Sequence, residues 1–187
     1  MRGGPEGNER LTASSGVVLF VLLAAEGVTI LSIRPLLSAH VFIGMLLIPP
    51  VALKLASTGW RFVRYYRGAP EYTKKGPPLL PLRLLAPVVV VSTVALFASG
   101  VALVLHGPGG GLLLLLHKAS FVVWLAATGI HILAYLPRVP RLASADWRSR
   151  MRLEGAGGRR VLLAGAIAAG AILAVATIGS ADAWAHA

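Results

Sequence analysis

Five long apolar stretches, separated by short polar or basic connections, dominate the chain. They run over about 13–33, 36–58, 84–106, 112–136 and 161–179. Each is long enough to cross the hydrocarbon core of a bilayer, which takes about 20 residues of α-helix. Because a backbone in lipid must satisfy its own hydrogen bonds, runs of this length predict helices and not barrel strands. The pattern therefore predicts an all-α integral membrane protein with five transmembrane helices.

Two of the connections are short enough to make neighbouring helices antiparallel. Arg34-Pro35 links the first two stretches, and the glycine-rich segment 107–111 links the third and fourth. Short links of this kind place consecutive helices side by side, so we predict an up-down four-helix bundle. The expected organisation is a tail at 1–12, the bundle at 13–137, a basic linker at 138–160, and a fifth span with a short tail at 161–187.

Two further features bear on how the helices pack. The second stretch contains Pro49-Pro50, which removes backbone hydrogen bonds and predicts a kink. The fifth stretch contains AGAIAAGAILAVATIGSA, and small residues let helix backbones approach closely. This stretch is therefore a candidate contact face, although a genome rich in G and C would produce a similar composition. It follows a long linker, which would allow the fifth helix to pack outside the bundle.

Composition and charge support the membrane assignment. Of 187 residues, 56% are hydrophobic and 13% are charged, which is too little polar surface for a soluble domain of this size. The net charge of +11 would suggest nucleic acid in a soluble protein, but here we expect no nucleic-acid partner. The chain has no cysteine, which excludes disulfides, thiolate metal sites and covalently attached c-type haem.

The distribution of basic residues predicts the orientation. They concentrate in the connection after the second stretch and in the one after the fourth, and the first connection carries only Arg34. By the positive-inside rule, both basic connections and the N-terminus are cytoplasmic, and the C-terminal tail is outside. We expect a multi-pass protein of the bacterial inner membrane. The basic residues are Arg61, Arg64, Arg67, Lys74, Lys75 and Arg83, and then Arg138, Arg141, Arg148, Arg150, Arg152, Arg159 and Arg160.

Histidines within the apolar stretches are the main candidates for chemistry, because ionisable residues in a membrane are costly. His40 and His117 each lie about one turn into helices that run inward from the outer surface, which puts them at one depth. Two neutral imidazoles at one level suit the axial positions of a low-spin b-type haem. Gly44, one turn after His40, would give a porphyrin room near the backbone. The alternative is that each histidine only hydrogen-bonds across helices; His106 and His186 are not expected to be ligands.

A second site in the inner half of the bundle is a weaker candidate. His131 follows His117 by 14 residues on the same helix face, a rise of about 21 Å that suits a second haem. Lys54 follows His40 by the same interval, and it either snorkels to the interface, pairs with a haem propionate or acts as an unusual ligand opposite His131. Glu26, in the first helix, is expected either to be protonated and hydrogen-bonded to another helix or to take part in a proton path.

Two segments carry a family resemblance. The fourth-helix sequence LHKASFVVWLAATGIH (116–131) resembles the membrane cytochrome b subunits of formate dehydrogenases and nickel–iron hydrogenases. The second-helix sequence HVFIGMLLIPPVALKLASTGWRFVRYY (40–66) is similar to cytochrome b/b6-type membrane proteins of actinobacteria. The resemblance covers about 15–137 and implies a cytochrome b-like four-helix core with one additional helix.

The resemblance also implies a function. Those subunits hold two b-type haems and pass electrons between a soluble or membrane-associated redox partner and quinone. Carried over, the outer haem would be held by His40 and His117, and His131 would be the inner ligand of the fourth helix. In that family the other inner ligand comes from the first helix, which has no histidine here, so we expect one haem b and keep two as the alternative. The chain would then be an electron-transfer subunit and not an enzyme by itself; the alternative is a haem-free membrane anchor of the same fold.

Overall fold

The chain folds as an all-α protein with five helices long and apolar enough to cross a membrane, as predicted. The computed structural model describes residues 3–76, 79–108, 111–146, 153–181 and 184, and these contain no strand. The long helices are α1 (Gly4–Leu31), α2 (Leu37–Tyr66), α4 (Leu80–His106), α5 (Gly111–Tyr135) and α7 (Ala156–Thr177), which ends in a 3₁₀ turn at Ile178–Ala181; the short helices are α3 (Pro70–Thr73) and α6 (Val139–Ala145).

Helix α1 begins at Gly4 and so includes most of the segment predicted to be a tail. Its first turns are polar, but they are held against the far end of α2. The Asn8 amide donates to the Ser57 carbonyl at 3.0 Å, and the Thr12 and Ser57 hydroxyls are 2.9 Å apart. The apolar pattern marks only the part of a helix that lies in lipid, whereas these hydrogen bonds extend the helix pair beyond it.

The helices pack most extensively as α1 with α2, α2 with α7, and α4 with α5. Contact between α2 and α4 is much smaller, so the bundle consists of two helix pairs, α1–α2 and α4–α5, with α7 on the outer flank of α2. The first four spans alternate in direction, as the short links predict. The fifth span, α7, packs mainly against α2, outside the two helix pairs, which is the option that its long linker left open.

A close approach between α7 and α2 depends on one glycine and one proline. Pro50 has no N–H, so α2 cannot form the usual helical hydrogen bond to the Leu46 carbonyl. Gly170 of α7 lies against this carbonyl so closely that a Cβ at this position would overlap the oxygen. One turn further on, Ala174 is completely buried. The glycine and alanine stretch is thus a contact face at these two positions, and α2 stays helical through Pro49-Pro50.

A buried group of charges fixes α6 and the start of α7 to α1. The Asp146 carboxylate accepts hydrogen bonds from Arg10 at 3.1 Å and from Arg159 at 2.5 and 2.7 Å. Arg160 donates to the Asp146 backbone carbonyl. The Arg159 guanidinium, together with Arg10, holds the pKa of Asp146 below its usual range, against the opposing effect of burial. This network fixes part of the basic linker, of which residues 147–152 lie outside the described residues.

All ion pairs between described Arg or Lys side chains and acidic side chains lie at one end of the molecule, which we call the basic end. Glu9 pairs with Arg61 at 3.2 Å and with Lys75 at 2.7 Å, and Arg64 pairs with Glu71. The opposite end, which we call the turn end, contains the connection 32–36 and residues 107–108 after α4. The N-terminus of α1 and both basic connections therefore share one end of the bundle.

Replacing Gly170 by alanine should lower the stability of the protein. The added Cβ would meet the backbone of α2, which cannot rotate away, and overpacking of this kind costs about 1–3 kcal/mol. Gly165→Ala is the matched control, because a Cβ there meets nothing within 4 Å and alanine is the better helix former. Thermal unfolding in detergent would compare the two, and equal midpoints would contradict the close approach.

Replacing Asp146 by asparagine should also destabilise the protein, because it removes the carboxylate that joins the buried Arg10 and Arg159 guanidinium groups. Breaking a buried ion pair costs about 3–5 kcal/mol. Since the folded-state pKa of Asp146 is lowered, its stabilising effect is present above the ordinary carboxyl value of 3.8 and is lost as the pH falls through the folded value. The difference between Asp146→Asn and wild type should therefore shrink in acid.

The control is Glu71→Gln, which removes a carboxylate from an exposed pair. Exposed ion pairs contribute little to stability, so this variant should have the same unfolding midpoint as wild-type protein. An Asp146→Asn protein as stable as Glu71→Gln would show that the buried network is not needed.

Candidate functional site

His40 of α2 and His117 of α5 face each other between the two helix pairs, close to the turn end. Their ring centroids are 6.3 Å apart and the ring planes are nearly perpendicular, at 86°. Both residues lie near the starts of their helices, at Leu37 and Gly111. Because both helices start at the same end, the two histidines lie at the same depth in the bundle.

Side chains of α1 hold the His40 ring. Nδ1 of His40 lies 2.9 Å from the Thr29 hydroxyl and 3.0 Å from Oε1 of Glu26. The Thr29 hydroxyl donates to the Glu26 backbone carbonyl at 2.6 Å, so its oxygen is left to accept. Nδ1 of His40 is therefore the protonated nitrogen, and Nε2 carries a lone pair.

The His117 ring is held in the same way, but from α4. Its Nδ1 lies 3.2 Å from both the Leu96 carbonyl and the Ser99 hydroxyl. A carbonyl only accepts, so Nδ1 of His117 is again the donor. A Cβ at Gly100 would lie 3.2 Å from Cε1 of His117, so the absence of a side chain at Gly100 leaves room for the ring.

Both rings are thus prepared for metal ligation. No described residue hydrogen-bonds to Nε2 of either histidine, and a ring with Nδ1–H fixed by an acceptor and Nε2 free is the usual state of a metal-binding histidine. Two imidazoles on opposite sides of one ion, with bonds of about 2 Å, have ring centres about 6 Å apart. The observed 6.3 Å matches that separation.

The ligand set fits a haem better than a bare ion. Among the described residues there is no group of three or more His, Asp or Glu side chains that could hold a metal ion. A haem iron already has four porphyrin nitrogens and takes only its axial ligands from the protein. A pair of histidines is therefore a sufficient set for haem.

An apolar groove of about 850 Å³ runs along α4 and α5 and reaches Ser99, which holds His117. Its polar lining is limited to hydroxyl groups. The size falls within the usual range for ligand sites, so large apolar groups have room beside this part of the site. The lining residues are Pro87, Val88, Val91, Ser92, Ala95, Ala98, Ser99, Ala102, Leu113, Leu116, Ala119, Ser120 and Val123.

Gly44, predicted to make room for a porphyrin, lies against the carboxyl group of Glu26. A Cβ at Gly44 would be 3.4 Å from Oε1 of Glu26 and within 4 Å of no other atom outside its own helix turn. Position 44 therefore borders the carboxyl group that contacts His40, and a Cβ there would be in ordinary van der Waals contact with it. Its contact with a porphyrin stays a prediction.

His131 and Lys54 lie in the half of the bundle nearer the basic end. His131 packs against Tyr135, with ring centroids 4.9 Å apart, and no described residue hydrogen-bonds to it. The Lys54 amine donates to the Thr12 carbonyl at 2.8 Å. Lys54 is therefore directed toward α1, and its ligation of a second haem stays a prediction.

Sequence analysis expected Glu26 to bond another helix but did not name His40 as its partner, and it missed Thr29, Ser99 and Gly100. Glu26 is the only acidic residue in the apolar stretches, and it lies on the other side of the Arg34-Pro35 turn from His40. These two features were the available signal for their contact. Ser99 and Gly100 had no comparable signal, because small residues are common throughout α4. His106 is exposed at the end of α4, and His186 lies outside the described residues.

Comparison of the chain with protein-family models, with curated proteins and with solved structures found no match.

Proposed function

We propose that the protein is a membrane-bound b-type cytochrome that transfers electrons, with His40 and His117 as the axial ligands of one haem b. The observation that carries this proposal is the facing pair of imidazoles, each with Nδ1 fixed by a hydrogen bond and Nε2 free, at a centroid distance of 6.3 Å. When bound, haem b supplies a one-electron redox centre.

The chain's own residues would bind and orient this group. One ligand would come from the α1–α2 pair and the other from the α4–α5 pair, so ligation would join two helix pairs that pack little against each other. Thr29 and Glu26 orient one ring, and Leu96 and Ser99 orient the other. The surrounding apolar spans would limit access of water to the iron.

The partners and the place of the protein in electron transfer rest on the family resemblance of α2 and α5. We propose an electron-transfer subunit that works with a redox partner protein and with quinone or another acceptor. His131 and Lys54 stand as the residues of an alternative second haem site. The basic end offers positive charge to anionic lipid headgroups or to an acidic partner.

A haem-free membrane anchor is the second candidate function. The observation that favours it is that both imidazoles already have hydrogen-bond partners on a neighbouring helix. Such bonds stabilise the packing of membrane helices without any cofactor.

The first experiment is the absorption spectrum and haem content of purified protein from a haem-sufficient host. We expect a low-spin Soret spectrum and about one haem per chain. His40→Ala and His117→Ala each remove one axial ligand, so each should lose haem or become high-spin. His106→Ala, at an exposed position, should keep the wild-type spectrum and serves as the control.

Two results would contradict the assignment. Wild-type protein without haem would favour the anchor function. Low-spin haem retained in both His40→Ala and His117→Ala would mean that other residues ligate the iron. A haem content near two per chain would support the second site at His131.

We also propose that the basic end is cytoplasmic and the turn end is outside, in a bacterial inner membrane. The support is the concentration of ion-paired and unpaired Lys and Arg at one end of the bundle, which the positive-inside rule assigns to the cytoplasm. The N-terminus of α1 shares that end.

Single cysteines test this orientation without background, because the chain has none of its own. Ser32 lies in the turn end and Thr73 in the basic end, and both are exposed. In intact cells a membrane-impermeant thiol reagent should label Ser32→Cys but not Thr73→Cys. After lysis it should label both. Labelling of Thr73→Cys alone in intact cells would reverse the orientation.

A further inference from the structure

The two proposed ligands differ in the kind of group that holds them. Nδ1 of His117 donates to neutral acceptors, the Leu96 carbonyl and the Ser99 hydroxyl. Nδ1 of His40 lies 3.0 Å from a carboxyl oxygen of Glu26. An acidic side chain is expensive within a membrane span, so its position beside one ligand and not the other calls for a physical role.

The surroundings of Glu26 direct it to this single contact. Its side chain is only 14% exposed. Oε1 lies 3.0 Å from Nδ1 of His40 and borders Gly44. Oε2 is buried and has no hydrogen-bond partner among the described residues. The described Lys and Arg side chains that pair with carboxylates do so at the basic end, so no such pair competes with His40 for Glu26.

We propose that Glu26 is a positioning residue for the ligand His40 and that it sets the reduction potential of the haem to a lower value. This inference rests on the proposed haem ligation. A carboxylate that accepts the Nδ1–H of a metal-bound histidine fixes its tautomer and makes the ring a stronger electron donor. A stronger donor stabilises ferric iron relative to ferrous iron, and hydrogen bonding to the ligand is one of the ways in which a protein tunes haem.

No bond of either residue breaks in this role. One electron moves between the iron and an external one-electron donor, and the Nδ1 proton stays on His40 throughout. The effect of Glu26 is therefore on the relative stability of the two oxidation states. The described acceptors on the His117 side are a carbonyl and a hydroxyl and include no carboxyl group, so the two axial bonds should be electronically unequal.

The test is a redox titration of the purified full-length protein at one fixed pH, with haem content measured first. Glu26→Gln keeps the size of the side chain and replaces its carboxyl group by an amide. We expect this variant to retain low-spin haem and to show a midpoint potential shifted to more positive values. Electron paramagnetic resonance of the ferric form should change as well, because the ligand field of His40 weakens.

The matched control is Glu71→Gln, which removes a carboxylate from an exposed pair at the basic end and should keep the wild-type potential. Glu26→Gln with bound haem and an unchanged potential and resonance spectrum would overturn the inference while leaving the haem assignment intact. Wild-type protein without haem would overturn both, and the initial haem measurement separates these two results.

A measurement on wild-type protein covers the case in which Glu26→Gln does not fold. The redox-induced infrared difference spectrum should contain a glutamate carboxyl band, identified by isotope labelling of the glutamate carboxyl carbons. The other four glutamates, at positions 6, 9, 71 and 154, lie at the basic end, far from His40. Absence of a glutamate band from this spectrum would overturn the inference.

Discussion

The structure depends on one constraint: a polar side chain inside a membrane span cannot hydrogen-bond to water, so it must find its partner within the protein. The polar groups of the interior follow this rule. Trp124 donates to Thr93 at 3.1 Å, Lys54 donates to a backbone carbonyl of α1, and each proposed ligand is bonded to the helix beside its own. These bonds fix which helices are neighbours and how each is rotated. They also fix the tautomers of the two histidines, which links helix packing directly to the proposed chemistry.

Helix α2 is the helix on which most of this packing depends. It packs with α1 on one side and α7 on another, and it contributes His40. The proline pair has a role in that packing, because Pro50 leaves the Leu46 carbonyl without a helical donor and Gly170 allows α7 to approach it. Pro50 therefore weakens the hydrogen bonding within α2 and at the same time makes a close contact with α7 possible. The Asp146 network completes the attachment of α7, since it joins the start of this helix to α1.

The features predicted correctly from the sequence are those controlled by apolar length and by short connections. Five spans, alternating directions and the meeting of His40 with His117 all follow from these two properties. The start of α1 at Gly4, the short helices α3 and α6, and the buried Asp146 could not be predicted in the same way, because they depend on polar contacts between distant segments. Ligation by the histidines stays a prediction, since it concerns a group that the sequence does not encode.

The geometry also bears on the number of haems, because His131 lacks what the other two histidines have. His40 and His117 each have an acceptor on Nδ1 supplied by a neighbouring helix, which orients the ring and leaves Nε2 free. No described residue provides such an acceptor for His131, whose ring contact is with Tyr135 on its own helix. The residue at the matching position of α2 is Lys54, and its amine is already bonded to Thr12. An inner ligand pair would have to break that bond and orient an imidazole that no neighbouring helix holds. The cost of both changes favours a single haem at the turn end.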